Sequence, residues 1–199
     1  MISCLMTVVM FADNHQRRYA ASLVSLTRRL STSACSTSVL FATSQHTVCD
    51  WIASNKLRLA AVVETWHDSG ECPDLIACTP PDYSFIERAR PRSDENETSV
   101  RTNHGGVCLF YHSSLTAKRI TFIDYLTFEY VCTYISGTSL TILAIVIYRP
   151  GSAYPSELFF EELADLFERS ATYSASLVIA GDINIHTDVT SDPSTCKLT

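Results

Sequence analysis

The chain has 199 residues, of which 46% are hydrophobic and 18% charged, a composition that excludes a disordered protein and is typical of one globular domain. The formal net charge of −6 excludes a general electrostatic attraction to nucleic acid, so any surface that binds phosphate must be local or assisted by a metal ion. No run approaches the roughly 18 consecutive apolar residues of a membrane span, and we expect no membrane contact.

Residues 1–45 differ in composition from the rest of the chain. No acidic residue lies between Asp13 and Asp50, and the stretch 31–38 contains only small residues typical of a linker. The first residues are apolar but are not preceded by a basic region, so they do not predict a signal peptide. We predict a poorly structured leader over 1–45 and a folded domain over 46–199, in an intracellular protein of the nucleus or cytoplasm.

Regular elements alternate from residue 48 onward. Val48, Trp51 and Ile52 have helical spacing, and the run 57–64 is apolar enough for a buried strand that ends in a carboxylate. The proline-rich and charged segment 71–103 predicts loops around one short strand near residues 84–88.

The second half of the predicted domain has the stronger signals. Residues 105–111 read as a turn and a strand, and two strands over 128–135 and 140–148 are joined by a hairpin turn. The clearest helix covers residues 155–168, with an apolar stripe of Phe159, Leu163, Leu166 and Phe167. A continuous apolar strand over 177–180 leads to Asp182. Mixed strands with helices on both faces predict a layered α/β sandwich.

The cysteines and histidines predict no metal site. The eight cysteines include no Cys-x-x-Cys pair, so we expect reduced thiols rather than a disulfide framework or a zinc site. Cys108 and Cys132 lie in strand-like apolar runs, where a thiol behaves as a small hydrophobe. The six histidines lack ligand spacing. Three of them, His67, His104 and His112, read as surface or loop residues, and His186 reads as a loop brace.

Three predicted strands end in polar residues, and strand ends are where ligand sites of α/β folds assemble. Glu64 offers a hard oxygen ligand suited to Mg²⁺, and Asp182 could deprotonate an attacking water. Asn184 could donate its amide to a phosphate oxygen, and Tyr148 could hydrogen-bond the charge that develops there. Each residue also has a structural interpretation, as a solvated strand boundary, a core-edge tyrosine or a turn.

The order and the flanks of these residues are more specific than the residues alone. Four segments carry the pattern: Val63-Glu-Thr-Trp66, Gly105-Gly-Val-Cys-Leu-Phe-Tyr111, Ile147-Tyr-Arg-Pro150 and Ala180-Gly-Asp-Ile-Asn-Ile-His186. Over roughly residues 48–188 the chain resembles the endonuclease/exonuclease/phosphatase superfamily. Within it, the pattern is most similar to the apurinic-type endonuclease domain that precedes reverse transcriptase in non-long-terminal-repeat retrotransposons.

The resemblance implies a four-layer α/β sandwich and a Mg²⁺-dependent (or Mn²⁺-dependent) phosphodiesterase that hydrolyses DNA. By family role, Glu64 would hold the metal and Tyr148 would support the transition state. Asp182 and Asn184 would align the water and the phosphate.

The chain also departs from the family pattern. Residues 37–46 lack the asparagine of the family's first strand, and no Ser-Asp-His-type motif follows Asp182. We therefore expect a truncated domain without the last strands of its second sheet, and little or no turnover. The strand that ends at Asp182 would then be an exposed edge, which favours self-association. Three hypotheses stay open: an active endonuclease, a relic of a retrotransposon reading frame, and a non-catalytic binding or regulatory protein.

Overall fold

A computed structural model describes residues 5–11, 22–27, 48–67, 71–90, 105–138, 140–152 and 154–185. Two β-sheets pack face to face, and helices cover their outer faces. The first sheet has the order β2-β1-β3-β5-β4, and all its neighbours are antiparallel. Its strands are β1 (Leu5–Phe11), β2 (Ser22–Thr27), β3 (Leu59–Val63), β4 (Tyr83–Arg88) and β5 (Val107–His112).

The second sheet has the order β6-β7-β8-β9, and only its β8–β9 pair is parallel. Its strands are β6 (Thr116–Ile120), β7 (Glu129–Ser136), β8 (Thr141–Tyr148) and β9 (Ser176–Asp182). The helices are α1 (residues 48–54), α2 (Pro73–Ala77) and α3 (Glu157–Ser170). The predicted layered sandwich is confirmed.

Side-chain alternation divides the apolar residues into three buried layers. In β8, Ile142, Ala144 and Val146 point between the sheets, whereas Leu143 and Ile145 point outward against α3. In β3, the residues Leu59, Ala61 and Val63 likewise face the second sheet, and Ala60 and Val62 face α1 and α2. Because both faces of these strands are covered, their sequences are continuous apolar runs rather than alternating ones.

Helix α3 connects β8 to β9 and makes these two strands parallel. The Ser156 hydroxyl caps the helix by accepting from the Phe159 N–H at 3.2 Å, so α3 begins two residues later than predicted. Phe159, Leu163 and Leu166 of the predicted stripe are buried against the second sheet. Parallel pairing brings the carboxyl ends of β8 and β9 to the same edge of the sandwich.

Two segments depart from the predicted leader over residues 1–45. Leu5–Phe11 and Ser22–Thr27 form strands, and the first of them pairs with both β2 and β3. The physical reason is that β3 leaves one backbone edge unpaired by β5, and β1 supplies a partner rich in residues that favour strands. The boundary between residues 45 and 46 stays a prediction. Within the described ranges, no helix is long and apolar enough to cross a membrane.

Candidate active site

Three strand ends meet at one end of the sandwich. Glu64 follows β3 in the first sheet, and Tyr148 ends β8 in the second. The Tyr148 hydroxyl donates a hydrogen bond to the Glu64 carboxylate across the cleft between the sheets. Asp182 is the register partner of Tyr148 in the parallel β8–β9 pair. The structure therefore joins Glu64 to Tyr148 and puts Asp182 at the adjacent strand end, and the roles predicted for the three residues stay predictions.

Glu64 reaches the cleft because the end of β3 is bulged. Thr65 N–H donates to Gly106 O (3.3 Å) and Trp66 N–H to Gly105 O (2.8 Å), one residue out of step with the Val63–Val107 pair. Glu64 is the extra residue, and its φ of +56° lies in the left-handed region. For a residue other than glycine this conformation costs on the order of 1–3 kcal/mol, which the surrounding contacts must offset.

The Tyr148 hydroxyl is kept protonated. Burial raises the pKa of Tyr148 above its usual value, and the hydrogen bond from its hydroxyl to Glu64 and the charge of that carboxylate raise it further. The Arg90 guanidinium, 5.7 Å from the centre of the Tyr148 ring, lowers this pKa in part. Arg90 is itself held by the buried Glu129 carboxylate, which also accepts the Gly106 N–H at 2.5 Å. Tyr148 is thus a hydrogen-bond donor at neutral pH.

The segment after β9 folds into a tight turn around the Asp182 carboxylate. Asp182 Oδ1 accepts the Asn184 N–H at 2.8 Å, and Asn184 has a φ of +52°. The Asn184 amide Nδ2 donates to the Arg149 carbonyl at 2.6 Å. Gly181 has a φ of +121°, and a Cβ there would overlap the carbonyl oxygen of Ile147. Asn184 therefore braces the turn after β8 in this structure, and its predicted contact with phosphate stays a prediction.

Arg149 is a residue of the site whose role the sequence did not reveal. Its buried guanidinium donates to the Ile183 carbonyl from Nε (2.6 Å) and to the Asn184 carbonyl from Nη2 (2.7 Å). The group lies 5.4 Å from the centre of the Phe159 ring on α3. Burial lowers the pKa of Arg149, and the Asp182 charge raises it in part. The sequence contains the Tyr-Arg-Pro motif but does not show in which direction the Arg149 side chain points.

The comparisons with known proteins fit this geometry. Residues 37–196 match the Endonuclease/Exonuclease/phosphatase family. The chain belongs to this family. The human Nocturnin catalytic domain, solved with a bound sulfate anion, has a similar fold, with a TM-score of 0.53 at 12% sequence identity. The similarity covers 73% of this chain but only 58% of that domain, and at this identity it shows the fold alone. No curated protein sequence matches the chain.

The family match confirms the predicted superfamily and its four-layer fold. Members of the Endonuclease/Exonuclease/phosphatase family generally use divalent metals. Among the described residues, no three His, Cys, Asp or Glu side chains form a cluster. Mg²⁺ needs only one or two carboxylates because it keeps several of its waters. Glu64 beside Tyr148 fits a site of that kind, whereas a metal that needs three or four protein ligands does not fit.

His67 lies in the loop after β3, in agreement with the prediction of a surface or loop residue. It is buried there, and two polar neighbours satisfy both of its ring nitrogens. Nδ1 lies 2.5 Å from Thr65 Oγ1, and Nε2 lies 2.6 Å from Glu87 Oε2. His112 is half-buried and bonds Ser114 locally. His104 and His186 lie outside the described residues.

Proposed function

We propose that this chain is a Mg²⁺-dependent phosphodiesterase that nicks DNA, in the manner of the apurinic-type endonucleases of retrotransposons. The observation that carries the proposal is the Tyr148–Glu64 hydrogen bond across the cleft, with Asp182 at the adjacent strand end. The motif wording around Glu64, Tyr148 and Asp182 supports the narrower retrotransposon type, and the family match supports hydrolase chemistry.

In the proposed reaction each side chain of the site has one role. Glu64 would hold Mg²⁺ (or Mn²⁺), which when bound supplies positive charge next to the phosphate. Asp182 accepts the proton of the water that attacks phosphorus, the bond from phosphorus to the leaving sugar oxygen breaks, and that oxygen takes a proton from solvent water. The Tyr148 O–H, which donates to Glu64 in this structure, exchanges that hydrogen bond for one to the negative charge that develops on the phosphate. Asn184 holds the Asp182 carboxylate in place through its backbone N–H.

The turnover we propose is low. Asn184 Nδ2 already donates to the Arg149 carbonyl, so its amide reaches a phosphate oxygen only after that hydrogen bond is exchanged. The same observation favours the second candidate, a non-catalytic binding or regulatory protein. The two candidates differ in whether DNA is cut.

Nicking of supercoiled plasmid in Mg²⁺, with EDTA as the blank, tests the proposal. We expect slow conversion to open circles that Glu64→Gln and Asp182→Asn each slow by about 100-fold or more. Glu161→Gln removes the same charge from the exposed face of α3 and is the matched control. Nicking that persists in Glu64→Gln would refute the proposed role of Glu64. Retention of plasmid without cutting would favour the non-catalytic candidate.

A further inference from the structure

A buried chain of polar side chains lies behind Glu64. Thr65 and His67 are both buried, and the hydroxyl, the imidazole and the Glu87 carboxylate are joined at 2.5 and 2.6 Å. The hydrogen bond with His67 is the main cause that lowers the pKa of Glu87. Glu87 belongs to β4 and pairs with Cys108 of β5, which packs on the α1 and α2 side of the first sheet. The polar chain therefore connects the loop after β3 to the outer face of this sheet.

Glu64 and Thr65 each lie on the side of the sheet opposite to the one that a regular continuation of β3 would give. Ala60 and Val62 face α1 and α2, so regular alternation would put Glu64 on that side and Thr65 in the cleft. The observed bonds place Glu64 in the cleft with Tyr148, and Thr65 on the helix side with His67. The bulge at Glu64 exchanges the two faces.

The absence of a side chain at Gly106 leaves the space that the Thr65 and His67 side chains occupy. A Cβ on Gly106 would lie 2.5 Å from Thr65 Oγ1 and 2.9 Å from His67 Nδ1, and Gly106 has a φ of +88°. Glu64 and Trp66 flank Thr65, and both have a positive φ. Left-handed residues of this kind persist only where their surroundings leave no alternative. The side chain of Thr65, held by its hydrogen bond with His67, lies between these two left-handed residues.

We propose that Thr65, His67 and Glu87 form a positioning network, which holds the bulge and thereby keeps the Glu64 carboxylate in the cleft against Tyr148. The consequence for metal binding rests on the proposed function, but the positioning itself does not. Thr65→Val keeps the shape of the side chain and removes its hydroxyl, so it breaks the network at the residue next to Glu64. Thr65→Ser keeps the hydroxyl and is the matched control.

The first test measures the Tyr148–Glu64 coupling without any metal. Unfolding equilibria of Glu64→Gln, Tyr148→Phe and the double variant form a mutant cycle, which is repeated in the Thr65→Val and Thr65→Ser backgrounds. We expect a coupling of about tenfold in the unfolding constant in the unsubstituted and Thr65→Ser backgrounds, and little or none in the Thr65→Val background. A Thr65→Val protein that is less stable but keeps its full coupling overturns the proposal. His67→Gln gives the same reading if Thr65→Val does not fold.

The second test titrates the protein with Mn²⁺ alone and measures the binding by calorimetry. We expect Thr65→Val to weaken Mn²⁺ binding by about 10- to 100-fold and Thr65→Ser to leave it nearly unchanged. Equal affinities in the Thr65→Val and Thr65→Ser variants would contradict the proposal. If the unsubstituted chain binds no Mn²⁺, the proposed function fails, and the mutant cycle still decides whether the network positions Glu64.

Discussion

At the scale of single residues, Arg149 holds the Asp182 turn to the end of β8. Its guanidinium reaches two carbonyl groups beyond β9, at Ile183 and Asn184, and its own N–H donates to the Asp182 carbonyl at 2.9 Å. A lysine in this place has a single compact charge and cannot bond both main-chain carbonyl groups in a fixed fork. The position of the Asp182 carboxylate therefore depends on a residue that need not touch the substrate.

We predict that Arg149→Lys lowers the free energy of unfolding by about 1–3 kcal/mol, because the carbonyl groups of Ile183 and Asn184 lose their charged donor. It should also speed hydrogen exchange of the backbone N–H of Asn184, which donates to the Asp182 carboxylate in the native turn. Urea denaturation and amide exchange measure the two effects. Arg169→Lys, in an exposed ion pair with Asp165 on α3, is the control and should change neither. Unchanged exchange at Asn184 in Arg149→Lys would show that the turn is stable without the guanidinium.

At the scale of elements, the sequence predicted the strands that are buried on both faces and the helix with a clear apolar stripe. It missed β1 and β2, which lie in the predicted leader, and also β6 and α2. The strand β6 (Thr116–Ile120) has largely exposed polar residues, and α2 (Pro73–Ala77) is a single turn inside a proline-rich segment that reads as a loop. Hydrophobic periodicity needs several apolar residues at regular spacing, and neither the exposed strand β6 nor the single turn of α2, which buries only Leu75, supplies them.

The same limit explains which features of the candidate site the sequence could predict. The rule that polar residues meet at strand ends agrees with the contact between Glu64 and Tyr148 and with the position of Asp182 at the adjacent strand end. It could not predict the bulge at Glu64 or the bond from the Asn184 amide to the Arg149 carbonyl. Both arrangements depend on positive φ values at residues other than glycine, which local sequence does not indicate. Contacts between distant segments select these conformations, so they become visible only in the folded chain.

The strand β9 carries the prediction that belongs to this scale. It is the edge of the second sheet in the described part of the chain, and its outward residues Leu177 and Ile179 are 42% and 45% exposed. Their neighbours in β8, Leu143 and Ile145, are covered by α3, which does not extend over β9. An apolar edge strand of this kind favours pairing between copies of the chain.

We predict concentration-dependent association in sedimentation velocity, which Ile179→Lys reduces because a charged lysine on an edge opposes strand pairing. Leu126→Lys is the matched control, since Leu126 is 86% exposed in the loop between β6 and β7. A monomer at all concentrations would show that the β9 edge is not available for pairing. Equal effects of the two lysines would point to general surface hydrophobicity instead.

At the scale of the whole molecule, the two sheets share one core. The inter-sheet layer contains Leu59 and Leu109 from the first sheet and Val131 and Ile142 from the second, so neither sheet can expose its inner face alone. The outer layers each hold a buried thiol, as the sequence predicted: Cys108 under α1 and α2, and Cys132 under α3. Shared burial of this extent favours a single cooperative unfolding transition.

The two thiols report on that cooperativity from opposite sides of the molecule. Burial raises the pKa of Cys132 to about 12 and that of Cys108 well above its usual value, so neither forms the reactive thiolate in the native state. Pulse alkylation across a urea series, with the sites located by mass spectrometry, should label Cys108 and Cys132 at the same midpoint. Cys72, which is only half-buried, should react without urea. If Cys132 is labelled at a lower urea concentration than Cys108, the second sheet opens by itself. The cleft between Glu64 and Tyr148 would then come apart before the first sheet unfolds, because these two residues lie on opposite sheets.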